Sequence, residues 1–406
     1  MYLRTKNKQE CCGCGLCEKT CKFGAISMET DACGFIYPVI DDAKCTNCKM
    51  CEKICVFKKE NMESSFGTEF YAVCNKDTSV VKESSSGGMF SLMAESIFLE
   101  DGVVYGVAYD DAFRVVHKRA ENMSEAQAFR TSKYVQSDFG AVYDCVKEDL
   151  DAGRKVLFTG TPCQIKALIK LMDHGKTDTS KLYTCDNICH GVSSPLTFSD
   201  YMNILKKYIA DDDRIVSVNM RQKKEEGRET TLRICTKKNG EVNKVNDFSY
   251  YRFFLNRIGN RPSCFNCQFA DYKREGDLSV GDFWNATEAD FSFDISHGVN
   301  EVLVNSVKGK ELFESICGGA HCQKVSQQKA WQPHLEYPTQ QPSNYENFWE
   351  EYTTSDDREQ VMKKYLEVSG LFKIINFAIP FLQKLGIYSV FGKLYKMVFV
   401  KRNINK

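Results

Sequence analysis

The sequence has no surplus of charge of either sign. Its 406 residues carry 54 basic and 54 acidic side chains. A general binder of phosphate backbones works through a cationic face that releases counterions, so nucleic acid is not an expected partner. No run of 18 apolar residues occurs, which argues against a membrane-spanning helix. The stretch from Met1 to Glu10 holds no apolar h-region, and the chain is therefore expected in the cytoplasm with its thiols reduced. A chain this long also buries enough surface to need no disulfide staples, and its length suggests two to three domains. Cysteine, by contrast, is plentiful and unevenly placed. Ten of the 20 cysteines fall within residues 1–62. In a reducing compartment such crowding points to metal.

The spacing names the metal. Cys11-x2-Cys14-x2-Cys17-x3-Cys21 recurs as Cys45-x2-Cys48-x2-Cys51-x3-Cys55, an internal repeat. Each run has the bacterial [4Fe–4S] spacing, in which three thiolates on one loop grip three irons and the fourth cysteine serves the other cluster of the pair. Cys11, Cys14, Cys17 and Cys55 are thus expected around one cluster, and Cys45, Cys48, Cys51 and Cys21 around the second. Gly13 and Gly15 suit a loop whose backbone closely approaches a cluster. The proline usual after the fourth cysteine is replaced by Lys22 and Val56. That change removes rigidity and no ligand. Zinc is the competing assignment, but zinc modules seldom repeat three close cysteines plus a fourth. Cys12 and Cys33 stand outside both runs, and Cys12 is expected to be a small buried thiol.

Beyond a polar joint from Glu60 to Ser65, strand and helix patterns alternate. Phe70 to Cys74, Gly102 to Tyr109 and Lys155 to Gly160 read as strands. Met89 to Leu99 and Gly140 to Leu150 have helical spacing of apolar positions. This alternation indicates α/β layers. Ser84-Ser85-Ser86-Gly87-Gly88 directly precedes a helix, where hydroxyls and backbone N–H groups suit an anion, although a flexible connection has the same composition. Thr159-Gly160-Thr161-Pro162-Cys163-Gln164 links a strand to a helix, a place where α/β folds bind ligands. No G-x-G-x-x-G occurs. Gly175-Lys176-Thr177 mimics the end of a P-loop, but Lys170 stands where the first glycine is required. Cys163, Cys185, Cys189, Cys264 and Cys267 are five candidates for a third metal site. Spacing alone secures only the pair Cys264-x2-Cys267. Cys185 and Cys189, four apart, would share a face if helical, and spacing does not choose between them.

Several blocks taken together are similar to the coenzyme F420 hydrogenase/dehydrogenase beta-subunit family. They are Ser85-Ser86-Gly87-Gly88-Met89, Arg130 to Ser137, Gly160-Thr161-Pro162-Cys163-Gln164, Cys189-His190-Gly191-Val192 with Ser194-Pro195, Cys264-Phe265-Asn266-Cys267, and Gly276 to Trp284. The resemblance runs from about residue 65 to about residue 330, and an N-terminal dicluster ferredoxin is a common fusion in the family. It implies a third [4Fe–4S] cluster held by Cys163, Cys189, Cys264 and Cys267. It also implies FAD held by Ser86, Gly87 and Gly88, by Ser132, Lys133 and Tyr134, and by Thr159, Gly160 and Thr161. Asp282 and Trp284 would frame the same pocket. Without the resemblance, Lys133 is an exposed charge.

The expected organisation has three parts: a two-cluster ferredoxin-like domain at 1–62, an α/β flavin and iron–sulfur domain at 63–335, and a helical tail at 336–406. From Leu371 to Val400 the tail has no acidic residue and carries Lys373, Lys384, Lys393 and Lys396 among apolar residues. Such a segment suits either an anionic membrane surface at the inner face or docking on its own domain or a partner. The expected function is an iron–sulfur flavoprotein oxidoreductase exchanging electrons with a redox partner protein, a small molecule or a coenzyme. The alternative is an electron-transfer subunit without its own substrate, docked to a catalytic partner.

Overall fold

The computed structural model describes residues 1–57, 66–207, 209, 213–223, 230–237, 242–243 and 250–366. The joint at 60–65 and the basic tail at 371–400 lie outside the described residues. Met1–Glu359 form one compact unit, and a second unit begins at Gln360.

The N-terminal segment builds a small antiparallel ribbon. β1 (Ile26–Thr30) pairs with β2 (Ile36–Ile40), Ile26 opposite Ile40. The short helices α1 (Leu16–Lys19) and α2 (Met50–Ile54) lie against each other beside it. Each begins just after a residue in the left-handed conformation, Gly15 and Lys49 respectively.

The body is mixed α/β, in agreement with the alternation of patterns in the sequence. Its first strands and helices are β3 (Glu69–Asn75), α3 (Met89–Phe98), β4 (Val103–Tyr109), β5 (Val115–Ala120), α4 (Val142–Asp151), β6 (Val156–Gly160), α5 (Pro162–Gly175) and β7 (Leu182–Asn187). A separate antiparallel sheet follows, of β8 (Ile215–Lys223), β9 (Thr230–Thr236) and β10 (Val242–Asn243). β11 (Leu278–Asp282), β12 (Asn300–Val304), α6 (Val307–Ile316) and β13 (Ala320–Val325) complete the large sheet. Its eight strands run in the order β13-β3-β12-β11-β7-β6-β4-β5. The central neighbours β11, β7, β6 and β4 are parallel. β4 and the first three residues of β6 read as continuous apolar runs, as buried parallel strands do.

The two faces bury different cores. One contains Met89, Met93 and Ile97 of α3 with Leu312 and Phe313 of α6. The other contains Val142, Val146 and Leu150 of α4 with Ile165, Leu168 and Met172 of α5. That second core also takes in Cys12, Leu16, Ile54 and Val56, so the N-terminal segment is fused to the body by shared apolar packing. Polar contacts reinforce the seam. Lys19 pairs with Asp144 at 2.7 Å, Gln136 Nε2 donates to Cys12 O at 2.9 Å, and Gln268 Nε2 donates to Val56 O. The hairpin turn at Gly34 (φ +80°) presses so closely on Leu196 that a Cβ there would sit 2.3 Å from the leucine Cβ. Among the described residues no helix is long and apolar enough to cross a membrane.

Candidate metal and cofactor sites

Because β4, β6, β7 and β11 are parallel, their carboxyl ends share one edge, the usual place for a ligand in an α/β sheet. β6 delivers Thr161 and Cys163 there. Thr161 caps α5 by a reciprocal exchange with Gln164, and Pro162 occupies the first turn, so Cys163 is held at the helix start. β7 delivers Cys189, two residues past its end. A short 3₁₀ turn, Pro262–Asn266, carries Cys264 and runs into Cys267.

These four cysteines line a single cavity together with Cys12, His190, Arg261 and Phe269. Burial raises the Cys189 thiol well above its ordinary value, and Cys264, Cys163 and Cys267 add to the effect through their own negative charge. The Cys264 thiol is pushed up to about 12, again by burial first. Cys163 moves the other way, to about 7, because Cys12 and then the Thr161 hydroxyl hydrogen-bond to its thiolate. Four thiols gathered in one pocket, most of them resisting ionisation alone, are a donor set suited to a cationic iron–sulfur core.

Cys185 is placed elsewhere. It lies in the middle of β7, not on a helix, and strand alternation turns it into the opposite core with Leu157, Leu278 and Val302. The shared helical face that four-residue spacing suggested does not form. The sheet itself separates Cys185 from the cavity.

The N-terminal cysteines form a second cavity, lined by Cys11, Cys14, Cys17 and Cys55. Cys17 feels the charges of Cys14, Cys11 and Cys55. Cys51 reaches the same wall, while Cys45 and Cys48 are exposed. The Cys21 and Cys45 segments adjoin through Asp41, whose N–H donates to Ala25 O and whose carbonyl accepts from Cys45 N. Among the described residues no three His, Cys, Asp or Glu side chains converge as they would around one metal ion. On the crossed pairing expected from the repeat, Cys55→Ser should remove the cluster assigned to Cys11, Cys14 and Cys17 and leave the one assigned to Cys45 in place. Electron paramagnetic resonance of the variant checks this, and selective loss of the Cys45 signal would refute the crossed pairing.

Sequence reading missed three residues between the cavities. Cys12 belongs to both linings, and its contacts with Cys14 and Cys163, together with burial, push its thiol well above the ordinary value. Gln136 is buried and bonds to the carbonyl of Cys12. Arg261 is fully buried. Its Nε donates to Cys11 O at 2.8 Å, Nη1 to Gln136 Oε1 at 2.9 Å and Nη2 to Ile36 O at 2.7 Å. Gly13, at φ +71°, is open to this arginine because a Cβ would lie 2.8 Å from Nη1. Nothing in the local sequence marks Arg261, since its partners in the N-terminal segment are 225 and 250 residues distant along the chain.

The residues expected to hold flavin sit near the same sheet edge, with their groups engaged internally. Ser132 N donates to Ser85 Oγ, Ser86 Oγ to Val299 O, and Thr159 Oγ1 to Tyr105 O. Met89 N, at the start of α3, donates to Asn300 Oδ1. A Cβ on Gly87 would meet Val73 O at 2.4 Å, and Gly88 is left-handed at φ +81°. Lys133 is buried, not exposed, and its ammonium donates to the carbonyls of Ala128, Arg130 and Thr131. Tyr134 packs on Tyr251 and Phe254, with Arg221 bridging toward Asp282 at 2.6 Å. Exposed Trp284 meets His190 edge-on. Ser86, Thr159 and Lys133 thus direct their side-chain donors to the protein's own carbonyls.

Residues 153–326 match the family described as the C terminus of the beta subunit of coenzyme F420 hydrogenase/dehydrogenase. Among solved structures, the chain is similar to one from the F420-reducing [NiFe] hydrogenase complex of Methanosarcina barkeri. The identity is 15%, with 73% of this chain and 97% of that one covered at a TM-score of 0.45. No curated protein matches.

Proposed function

We propose, from the match of residues 153–326 to the C terminus of coenzyme F420 hydrogenase/dehydrogenase beta subunits, that the chain is an iron–sulfur oxidoreductase component that conducts electrons between an exposed N-terminal site and a buried site in the body. Cys45, Cys48, Cys51 and Cys21 would hold one [4Fe–4S] cluster, Cys11, Cys14, Cys17 and Cys55 a second, and Cys163, Cys189, Cys264 and Cys267 a third. Bound in these positions, the clusters supply one-electron chemistry, and FAD, where it binds, pairs such electrons into hydride equivalents.

The observation that carries this proposal is the convergence of Cys163, Cys189, Cys264 and Cys267 on one cavity that abuts the N-terminal cysteines through Cys12. Three separate stretches of chain supply those four thiols. The protein's own contribution is positional: capping by Thr161 fixes Cys163, shared packing fixes the N-terminal segment, and burial keeps water from the inner sites.

A second function has its own support. The engagement of the Ser86 and Lys133 side chains with the protein's own carbonyls favours an electron-transfer subunit without a substrate of its own, served by a separate catalytic partner. Purification without oxygen, followed by iron, sulfide, zinc and flavin analysis, tests both. Roughly 12 irons with equal sulfide are expected from three four-cysteine sites. Zinc without sulfide would sink the iron–sulfur proposal. Bound flavin together with turnover of a small acceptor by the isolated chain would sink the second.

A further inference from the structure

Arg261 is the largest fully buried side chain of the described residues, and it stands between the two groups of cysteines. It lines the body cavity with Cys163, Cys189, Cys264 and Cys267. Its Nη2 also lies 3.9 Å from Cys11 Sγ, in the N-terminal cavity's lining. Its hydrogen bonds go to two carbonyls and the Gln136 amide. The rings of Tyr37 and Phe35 flank it at 4.3 and 5.3 Å. All of these hydrogen-bond and ring partners are neutral. Among the described residues no carboxylate forms an ion pair with it, whereas the other fully buried guanidinium, Arg274, has Asp186 at 2.5 Å. A buried guanidinium without a counter-charge is costly, and carbonyls and aromatic faces offset only part of that cost. Besides the Tyr2 and Tyr37 hydroxyls, the groups within its field that can carry negative charge include the thiols of Cys11, Cys12 and Cys14 in the N-terminal segment and of Cys163 and Cys264 in the body.

We propose that Arg261 is the common counter-cation of the two buried cysteine sites and sets the reduction potentials of the clusters held in both. This rests on the iron–sulfur function proposed above. A cluster ligated by four thiolates is an anion and gains one further negative charge on reduction. A fixed positive charge in a low-dielectric interior stabilises the reduced form more than the oxidised form. A single cation shared by adjacent sites raises both potentials together, so an electron is not stranded at their junction. Arg261 is a positioning and tuning residue in this role. It need not touch substrate.

The test is a redox titration of the whole chain, monitored by electron paramagnetic resonance, in three forms: Arg261→Gln, Arg261→Lys and Gln136→Glu. The last places a carboxylate against Nη1 and neutralises the charge while leaving the guanidinium anchored. Arg261→Gln and Gln136→Glu should each disfavour reduction of both inner clusters by roughly tenfold, which is 59 mV for one electron. The exposed Cys45 cluster should not move. Arg261→Lys should keep both potentials near those of the unaltered chain. If Arg261→Gln fails to assemble, Gln136→Glu decides alone. Unchanged inner potentials in Gln136→Glu, with full iron content, overturn the proposal. Absence of iron–sulfur signals from the unaltered chain would instead overturn the function on which it rests.

Discussion

Cys163→Ser is expected to lower iron from roughly 12 to roughly 8 atoms per chain, the loss of one four-cysteine cluster. Cys189→Ser should do the same. Cys185→Ser should retain the full complement. The reason is the pleat of β7: Cys185 points into the core built by α3 and α6, while the cavity opens beyond the strand's end on the other side. The stability cost of Cys185→Ser should be modest, about 1–3 kcal/mol for a hydroxyl placed among apolar side chains. Iron analysis after anaerobic reconstitution, together with the spectrum of each variant, checks the set. Full iron in Cys163→Ser with loss in Cys185→Ser would reverse the assignment.

The second large effect concerns the pair that aims two of those cysteines. Arg274 and Asp186 are buried to 1% and 0% side-chain exposure and meet at 2.5 Å. The same guanidinium donates to Phe269 O, two residues past Cys267, and to Asn187 O, two residues before Cys189. Asp186 Oδ2 accepts from Gly276 N at 2.9 Å. Asp186→Ala leaves a positive charge buried without its partner, and a loss of about 3–5 kcal/mol is expected. The third cluster should be lost or greatly weakened with it, because both cysteine-bearing loops lose their common anchor. Urea unfolding measures the first effect and iron content the second. The double variant Asp186→Leu with Arg274→Met should regain part of the stability, since no lone charge remains. A single-variant loss below about 1 kcal/mol, well under the range for a broken buried pair, would show that the pair does not hold these loops.

Much of this organisation is legible in the residues alone. The three strand assignments at 70–74, 102–109 and 155–160 and the helices near 89–99 and 140–150 agree with the structure to within two residues at each end. They are short elements with strong local patterns. The large sheet's order is not legible, because β12 and β13 join β3 across more than 200 residues. Cysteine spacing groups the N-terminal thiols because their ligands are local. It leaves Cys185 and Cys189 undecided, since that choice depends on whether the segment is strand or helix. Arg261 is invisible for another reason. Most of its partners are main-chain atoms of a distant segment, and a carbonyl leaves no trace in residue identity. The Ser-Gly loop and the lysine at 133 draw attention for their chemistry, yet the structure shows their donors turned toward the protein's own backbone.

The shared core between the N-terminal segment and the body has a kinetic consequence. A ferredoxin that diffuses to its acceptor passes electrons at a rate set by encounter, so the rate varies with concentration and falls with added salt. In the proposed arrangement the electron donor and its acceptor lie on segments already packed together through Leu16, Ile54, Val56 and Phe269. The internal transfer should therefore be first order and indifferent to ionic strength. Salt should act only at the outer face, where Lys44, Lys49 and Lys53 stand exposed around Cys45 and Cys48. The molecule would meet its partner as a charged surface at one end and behave as a fixed wire from there inward.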